Sequence, residues 1–470
     1  MDACATRQLA EVLASTTPDD LSADTLTHAH RAVLDWLGSA LAGSIEAPAR
    51  MAQQVASGLG RADDCTIFSR GRGSAAAAAL ANGVASHILE LDDIHKGSTV
   101  HAAAPIVPAA LAVAEREHSS GHAFLTAVVL GYEAAFRIGE AVNPSHYGFW
   151  HPTGTVATFG AAVAAGSLLH LTPDQMQHAL GTAGTQAAGL WEFNADGAMS
   201  KHLHPGKAAM NGVLAADLAK AGFTGASRIL EGDRGFFAAM SDLPDPSPAA
   251  ELARQARVTD GLGTAWKIGE NGYKLHACCG HTHTAVDVAI AMRAQGRWQP
   301  DQALADISAV DVETYGPGYA IVKEPNPCTP YQAKFSMAFC VAAALLEGQV
   351  GLAQFAPDRF DAAGVRDAAI ATLLPRIHVT VEPDLTAQYP AAWPARVVVT
   401  LRGGAMLKGA AEYPLGNAEN PVDTTRLEVK MAALLEPRFG AATARAAQDA
   451  IAALPACADM ATLFRHVLHG

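Results

Sequence analysis

The sequence predicts a mainly α protein, with a large all-helical domain formed by both chain ends (1–265 and 406–470) and a smaller α+β domain at 266–405. Three observations predict it. Apolar residues recur at helical spacing through the first 260 or so positions. From about residue 265, polar and apolar side chains alternate in short runs, as in half-buried strands. Beyond 405 the helical pattern returns, so the tail packs back on the first domain and makes it discontinuous.

In "SADTLTHAHRAVLDWLGSALAG", Ala29, Val33, Trp36, Leu37, Ala40 and Leu41 share one helix face, with Ser22 or Asp24 as the cap and Gly43 at the end. "GSAAAAALANGVASHILEL" and "TVATFGAAVAAGSLLHL" are apolar nearly all round, which predicts helices buried on every side. "QHALGTAGTQAAGLWEF" and "KAAMNGVLAADLAKAGF" continue the pattern with small residues that permit close helix contacts. "ISAVDVETY", "RIHVTVEP" and "ARVVVTLRGGAMLKG" read as strands, with "KFSMAFCVAAALLEG" as a helix among them. "TTRLEVKMAALL" and "AATARAAQDAIAAL" are helical again.

A chain of 470 residues, half hydrophobic and only 17% charged, supports a large core and argues against disorder. The formal net charge of −13 argues against nucleic acid or an anionic membrane as a partner. The seven cysteines are odd in number and irregularly spaced, and the N-terminal stretch has no long apolar run, so a reducing cytoplasm is the expected compartment. No apolar stretch reaches the ~18 residues of a membrane-spanning helix.

Four stretches carry candidate chemistry. "HILELDDIHKGSTVHAAAP" ends a buried-looking helix in Glu90, Asp92, Asp93, His95 and His101; solvated acids at a helix end are the bland alternative. "NPSHYGFWHPTGT" places His146, Tyr147, Trp150 and His151 in a loop; Tyr and His hydrogen-bond carboxylates and move protons, whereas Trp150 reads as packing. "GAMSKHLHPGKAAMNG" sets Lys201, His202, His204 and Lys207 at the start of a helix, where backbone N–H groups favour anions. It lacks the Ser/Thr and the spacing of a P-loop. "KLHACCGHTH" holds Lys274, His276, Cys278, Cys279, His281 and His283. Adjacent cysteines point apart and no second half-site of zinc spacing exists, so neither a metal knot nor a C-x-x-C redox pair is expected. Lys and His groups in four stretches of an acidic chain have a small polycarboxylate as their plausible shared object.

In order, "DDIHKGSTVHAAAPIVPAALAVAE", "HYGFWHPTGTVATFGAA", "MSKHLHPGKAAMNG", "FTGASRILEGDRGF", "YKLHACCGHTHTAVDVA" and "KFSMAFCVAAALLEG" resemble the MmgE/PrpD family over nearly the whole chain. That family contains 2-methylcitrate dehydratase, cis-aconitate decarboxylase and iminodisuccinate epimerase. The resemblance implies that the smaller domain is a lid, that the active site lies between the domains, and that the protein is a homodimer needing no metal or organic cofactor. Ile94 stands where many members have Thr, Ala102 where many have Pro, and Cys279 near a histidine of decarboxylase-like members.

The implied roles follow by motif. Lys201 and Lys274 pair with substrate carboxylates, His151 or His101 acts as general base or acid, Tyr147 donates to the developing charge, and Asp93 orients a histidine. Glu90, His95, His204, Lys207, Cys279 and His281 complete the substrate-binding set. All the family reactions move a proton at a carbon next to a carboxylate. The leading expectation is a hydro-lyase like 2-methylcitrate dehydratase. An epimerase of an imino- or hydroxy-dicarboxylate, a decarboxylase, and a non-catalytic carboxylate-binding scaffold are the alternatives.

Overall fold

A computed structural model describes residues 4–60, 62–242, 247–296, 300–464 and 467. The chain forms two compact units. The first comprises Met1–Ile88, Asp92–Asn271 and Asp423–Gly470; the second comprises Leu89–Leu91 and Gly272–Val422.

The principal helices of the first unit are α1 (Ala23–Gly43), α2 (Ala75–Ser86), α3 (Ala103–Arg116), α4 (Gly121–Val142), α5 (Val156–Leu168) and α6 (Ser200–Lys220). In the second unit, α7 (Gly280–Gly296) and α8 (Met337–Glu347) accompany the sheet. The chain then returns to the first unit through α9 (Thr424–Ala453), two helical runs broken at Gly440, where φ is 83°. Side-chain caps begin several helices: Ser22 accepts from Thr25 N, Ser74 from Ala77 N and Ser120 from Ala123 N. No described helix is long and apolar enough to cross a membrane.

The first unit is helical apart from a short antiparallel hairpin, β1 (Cys65–Ile67) with β2 (Gly71–Gly73). Strands of three residues are too short to show a period-two pattern. Helix α5, apolar all round, is buried at every described position but Ser167. It packs against α3, α4 and α6. Helix α6 packs most intimately on α2. The contact is possible because Gly83 faces Gly206: a Cβ at Gly83 would lie 2.7 Å from the Gly206 Cα, and one at Gly206 2.5 Å from the Leu80 carbonyl oxygen. Backbone cannot yield as a flexible side chain does. Gly206→Ala is therefore expected to cost about 1–3 kcal/mol through overpacking. A lowered urea midpoint would register the loss; an unchanged midpoint would show that the helices separate freely.

The second unit is built on a four-stranded sheet ordered β4–β3–β5–β6, with β3 (Ile307–Thr314), β4 (Ile377–Val381), β5 (Ala395–Leu401) and β6 (Met406–Ala411). Strand β3 runs parallel to β4 and antiparallel to β5, which is antiparallel to β6. Alternation is clear in β5, where Ala395, Val397 and Val399 are buried. Helix α7 packs on β5 and β6, and α8 on β4. Strand β6 takes up Met406–Gly409 of the run read as strand and continues to Ala411.

Candidate active site

Helix α2 ends at Ser86, and His87 follows as its C-cap. The chain then carries Asp92 and Asp93 into a tight loop, closed by the bridge His95–Val100 and turned at Thr99, whose φ is 52°. It emerges at His101, just before α3. Because adjacent side chains diverge, the two aspartates do different work. Asp92 Oδ2 lies 2.5 Å from His87 Nδ1. The Asp93 carboxylate instead accepts from Ala103 N (3.0 Å) and from the Tyr132 hydroxyl (2.6 Å). The expectation that Asp93 orients a histidine is thus corrected in its atoms: the Asp93 main-chain oxygen, not its carboxylate, receives His101 Nδ1 at 2.6 Å. A carbonyl only accepts, so the proton of a neutral His101 sits on Nδ1 and its Nε2 carries the lone pair. Burial pushes the Asp93 carboxyl up to about 7, against the lowering effect of the Tyr132 hydroxyl.

His151 enters from the loop before α5, its amide donating to Gly189 O at 2.9 Å. Its Nδ1 lies 3.0 Å from His204 Nδ1 on α6. The rings of His87 and His101 stand 4.8 Å apart, those of His87 and His151 5.4 Å, and those of His101 and His151 6.3 Å. Trp191 and Phe193 close on His151 edge-on. Lys201, in the first turn of α6, is buried. Burial, then the charges of His204, His87, Lys201 and His101, hold His151 well below the usual imidazole range. Burial, then His87, Lys207 and Lys201, lowers His204 to about 4. His151 and His204 are accordingly neutral at working pH.

The first unit thus brings His101, His151, His204 and Lys201 together, with Asp93 beneath them. Tyr147 is half-buried, its ring edge-on to Trp191 at 5.0 Å. Lys207 is occupied with main chain, donating to Gln186 O and Ala188 O at 3.0 and 3.2 Å, which holds the loop after residue 184. His95 belongs to another cluster. Its Nδ1 accepts from Ser98 N, its Nε2 faces Glu270 at 3.4 Å, and its ring stacks on Phe136. His146, next to the site in sequence, lies between Met240 O (2.7 Å from Nδ1) and Thr155 Oγ1 (2.7 Å from Nε2).

Burial depresses His146 to about 4, partly opposed by the Met240 carbonyl. An unfolded histidine titrates near 6.5, so between those values the unfolded chain binds the extra proton. This contribution is complete above pH ~6.5 and is lost as pH falls toward about 4. Denaturant titrations at pH 7 and pH 5 are expected to show about 2 kcal/mol of stability loss from this residue. His146→Gln should remove that share of the slope, and an unaltered slope would refute a buried neutral imidazole.

The second unit holds the other lysine. Lys274, 1% exposed, points its Nζ at Glu90 Oε2, 3.3 Å away. Glu90 has φ 59°, a left-handed conformation that bulky residues rarely adopt. The Leu89 carbonyl on the same tripeptide accepts from Lys334 Nζ at 3.0 Å. His281, on the first turn of α7, bonds Tyr315 Oη through Nδ1 at 2.6 Å and leans on the Trp393 ring. Burial, then Lys274 and His283, depresses His281 to about 3, so it too is neutral. His276 is bonded to Asp287, and His283 Nε2 donates to Cys278 O. The Cys279 amide donates to Lys334 O. Among the described residues, the histidines and cysteines of this stretch do not converge as a metal-ligating trio.

Three residues escaped notice in the sequence, His87, Tyr132 and Tyr315, and Asp92 was named there without a role. His87 and Asp92 lie inside a stretch already singled out, and their five-residue separation was the available signal. Tyr132 and Tyr315 reach their partners across 39 and 34 residues, and no local pattern marks such pairs.

Fold and clusters define a class: a mainly α protein whose two units each bury a lysine beside neutral histidines, side chains suited to anions and protons. The chain belongs to the MmgE/PrpD family, whose N-terminal domain matches residues 7–249 and whose C-terminal domain matches residues 276–456. It is similar to the cis-aconitate decarboxylase-like protein oryM of Aspergillus oryzae, 31% identical over 383 residues that cover 77% of each chain. It is 27% identical to a cis-aconitate decarboxylase of Aspergillus terreus, over 95% of this chain and 92% of that one. A human cis-aconitate decarboxylase is 26% identical over 86% of this chain and 82% of its own.

Proposed function

We propose that the protein is a lyase that acts on a small polycarboxylate by moving a proton at a carbon next to a carboxylate, and that its leading reaction is decarboxylation of a cis-aconitate-like tricarboxylate. The relatives named above support that reaction. The observation that carries it is the tautomer of His101: Nδ1 is held by the Asp93 carbonyl, which leaves Nε2 as the atom that gives or takes a proton.

In the proposed step, protonated His101 delivers its Nε2 proton to the vinylic CH of the substrate. The double bond shifts toward the neighbouring CH2, whose bond to its carboxylate breaks. The electron pair of that bond forms the new C=C, and CO2 leaves with a methylene-succinate dianion. His101 then recovers a proton from water. Lys201 and Lys274 balance substrate carboxylate charge as compact ammonium groups. His151, neutral and hydrogen-bonded to His204, positions a carboxylate or relays the proton. The reading includes a homodimer in the cytoplasm; light scattering on the purified protein tests the dimer.

A second reading is dehydration of a 2-methylcitrate-like hydroxy acid. It is favoured by Cys279, a thiol near the place where decarboxylase-like members carry histidine. Proton NMR on the purified protein, with cis-aconitate, 2-methylcitrate, citrate and iminodisuccinate offered in turn, separates the two. Conversion of the cis-aconitate vinyl signal into a pair of methylene signals, with CO2 release, is the expected result. Loss of a 2-methylcitrate C–H signal next to a carboxylate, with growth of an unsaturated product, would favour the second reading. Silence with all four acids would overturn both.

A further inference from the structure

We propose that His87, His101 and His151 form a binding site for a borderline divalent transition-metal ion, zinc foremost. One ring nitrogen of each lies within 4.8 Å of the other two. Each ring is already held at Nδ1: His87 by the Asp92 carboxylate at 2.5 Å, His101 by the Asp93 carbonyl at 2.6 Å, and His151 by His204 Nδ1 at 3.0 Å. Of the two nitrogens of His87, Nε2 is therefore the one left to offer. Carboxylate and carbonyl partners on the distal nitrogen are what orients histidine ligands and raises their basicity at zinc sites.

A second observation points independently to a ligand. The His87 ring is fully buried, yet its Nε2 has no hydrogen-bond partner among the described residues. Nothing in the sequence reading or the proposed reaction gives that lone pair a task, and a buried polar atom without one is costly. A three-imidazole set with a fourth position open is a known zinc geometry, and tetrahedral Zn–N bonds put ligand atoms about 3.4 Å apart. Binding therefore draws the three ligand nitrogens closer together. Asp92 supplies a negative charge behind His87. The positive charge of Lys201, felt at His151 and His204, opposes the ion and sets a limit on its affinity.

The other convergent set, His95 with Glu140 and Glu270, differs in kind. There Lys267 Nζ already lies 3.1 Å from Glu140 and 3.0 Å from Glu270, so a cation is built in.

Metal coordination uses the lone pairs that proton transfer needs, so an ion at this site is an inhibitor rather than a cofactor. That consequence rests on the proposed function; the binding itself does not. The test uses the full-length protein after chelator treatment, without substrate. Cobalt(II) titration is expected to develop the intense visible bands of a tetrahedral site, displaced by zinc. X-ray absorption of the zinc-loaded protein is expected to show imidazole nitrogen and no sulfur. His87→Gln should abolish the cobalt bands, Asp92→Asn should weaken binding about 10–100-fold, and His95→Gln should leave both unchanged. Octahedral cobalt spectra, sulfur in the first shell, or bands that survive His87→Gln would overturn the proposal. Full turnover by zinc-loaded protein would instead overturn the role assigned to His101 and leave the metal site standing.

Discussion

Lys274→Ala is expected to destabilise the protein by about 3–5 kcal/mol and to abolish turnover. Lys274 is 1% exposed and Glu90 2% exposed, and their charged atoms stand 3.3 Å apart. Deleting the ammonium takes the counter-charge from a buried carboxylate, which costs far more than the pair itself contributes. The two roles of the lysine separate in a double variant. Lys274→Met with Glu90→Gln removes both charges while keeping the volume, so most of the stability should return while activity stays lost. Urea midpoints measured beside kcat/KM decide the matter. A single alanine variant as stable as the parent would mean that Glu90 finds other compensation. A double variant with normal turnover would remove Lys274 from the reaction.

His101→Gln is expected to lower kcat/KM by about 10²–10⁴-fold, the usual worth of a positioned general acid or base. Stability should change little, because the ring is half-buried and glutamine retains a donor for the Asp93 carbonyl. The informative comparison is Asp93→Asn. Its carboxylate caps the start of α3 and takes the Tyr132 hydroxyl, so that change should act mainly on folding. A large kcat loss in Asp93→Asn with an intact urea midpoint would reverse the assignment.

The helices of the first unit and the sheet of the second were legible because their periods, 3.6 and 2, are repeated over enough residues to stand out. The hairpin at 65–73 was not, since two three-residue strands give no period to read. In the site, charged and aromatic clusters marked the right stretches, and His101, His151, Lys201 and His204 do gather in the first unit. Lys207 and His95 do not take up equivalent places. One holds a loop by its carbonyls and the other lies in a network with Glu140 and Glu270. Composition cannot tell an ammonium aimed at a ligand from one aimed at backbone. Nor does "DD" reveal which aspartate meets a ring, because that depends on where α3 begins.

The tripeptide Leu89–Leu91 has a bearing on how this protein can be divided. Although it lies between two segments of the first unit, it is packed with the second: the Glu90 carboxylate accepts from Lys274 and the Leu89 carbonyl from Lys334. Residues 272–422 expressed alone would therefore bury two lysines without those acceptors. Fusions, splits or grafts cut at the apparent boundary near 272 would separate a cation from its anion by some 180 positions of missing chain. A transplantable version of the second unit must bring that distant tripeptide along, with Glu90 in its left-handed conformation, or replace both lysines.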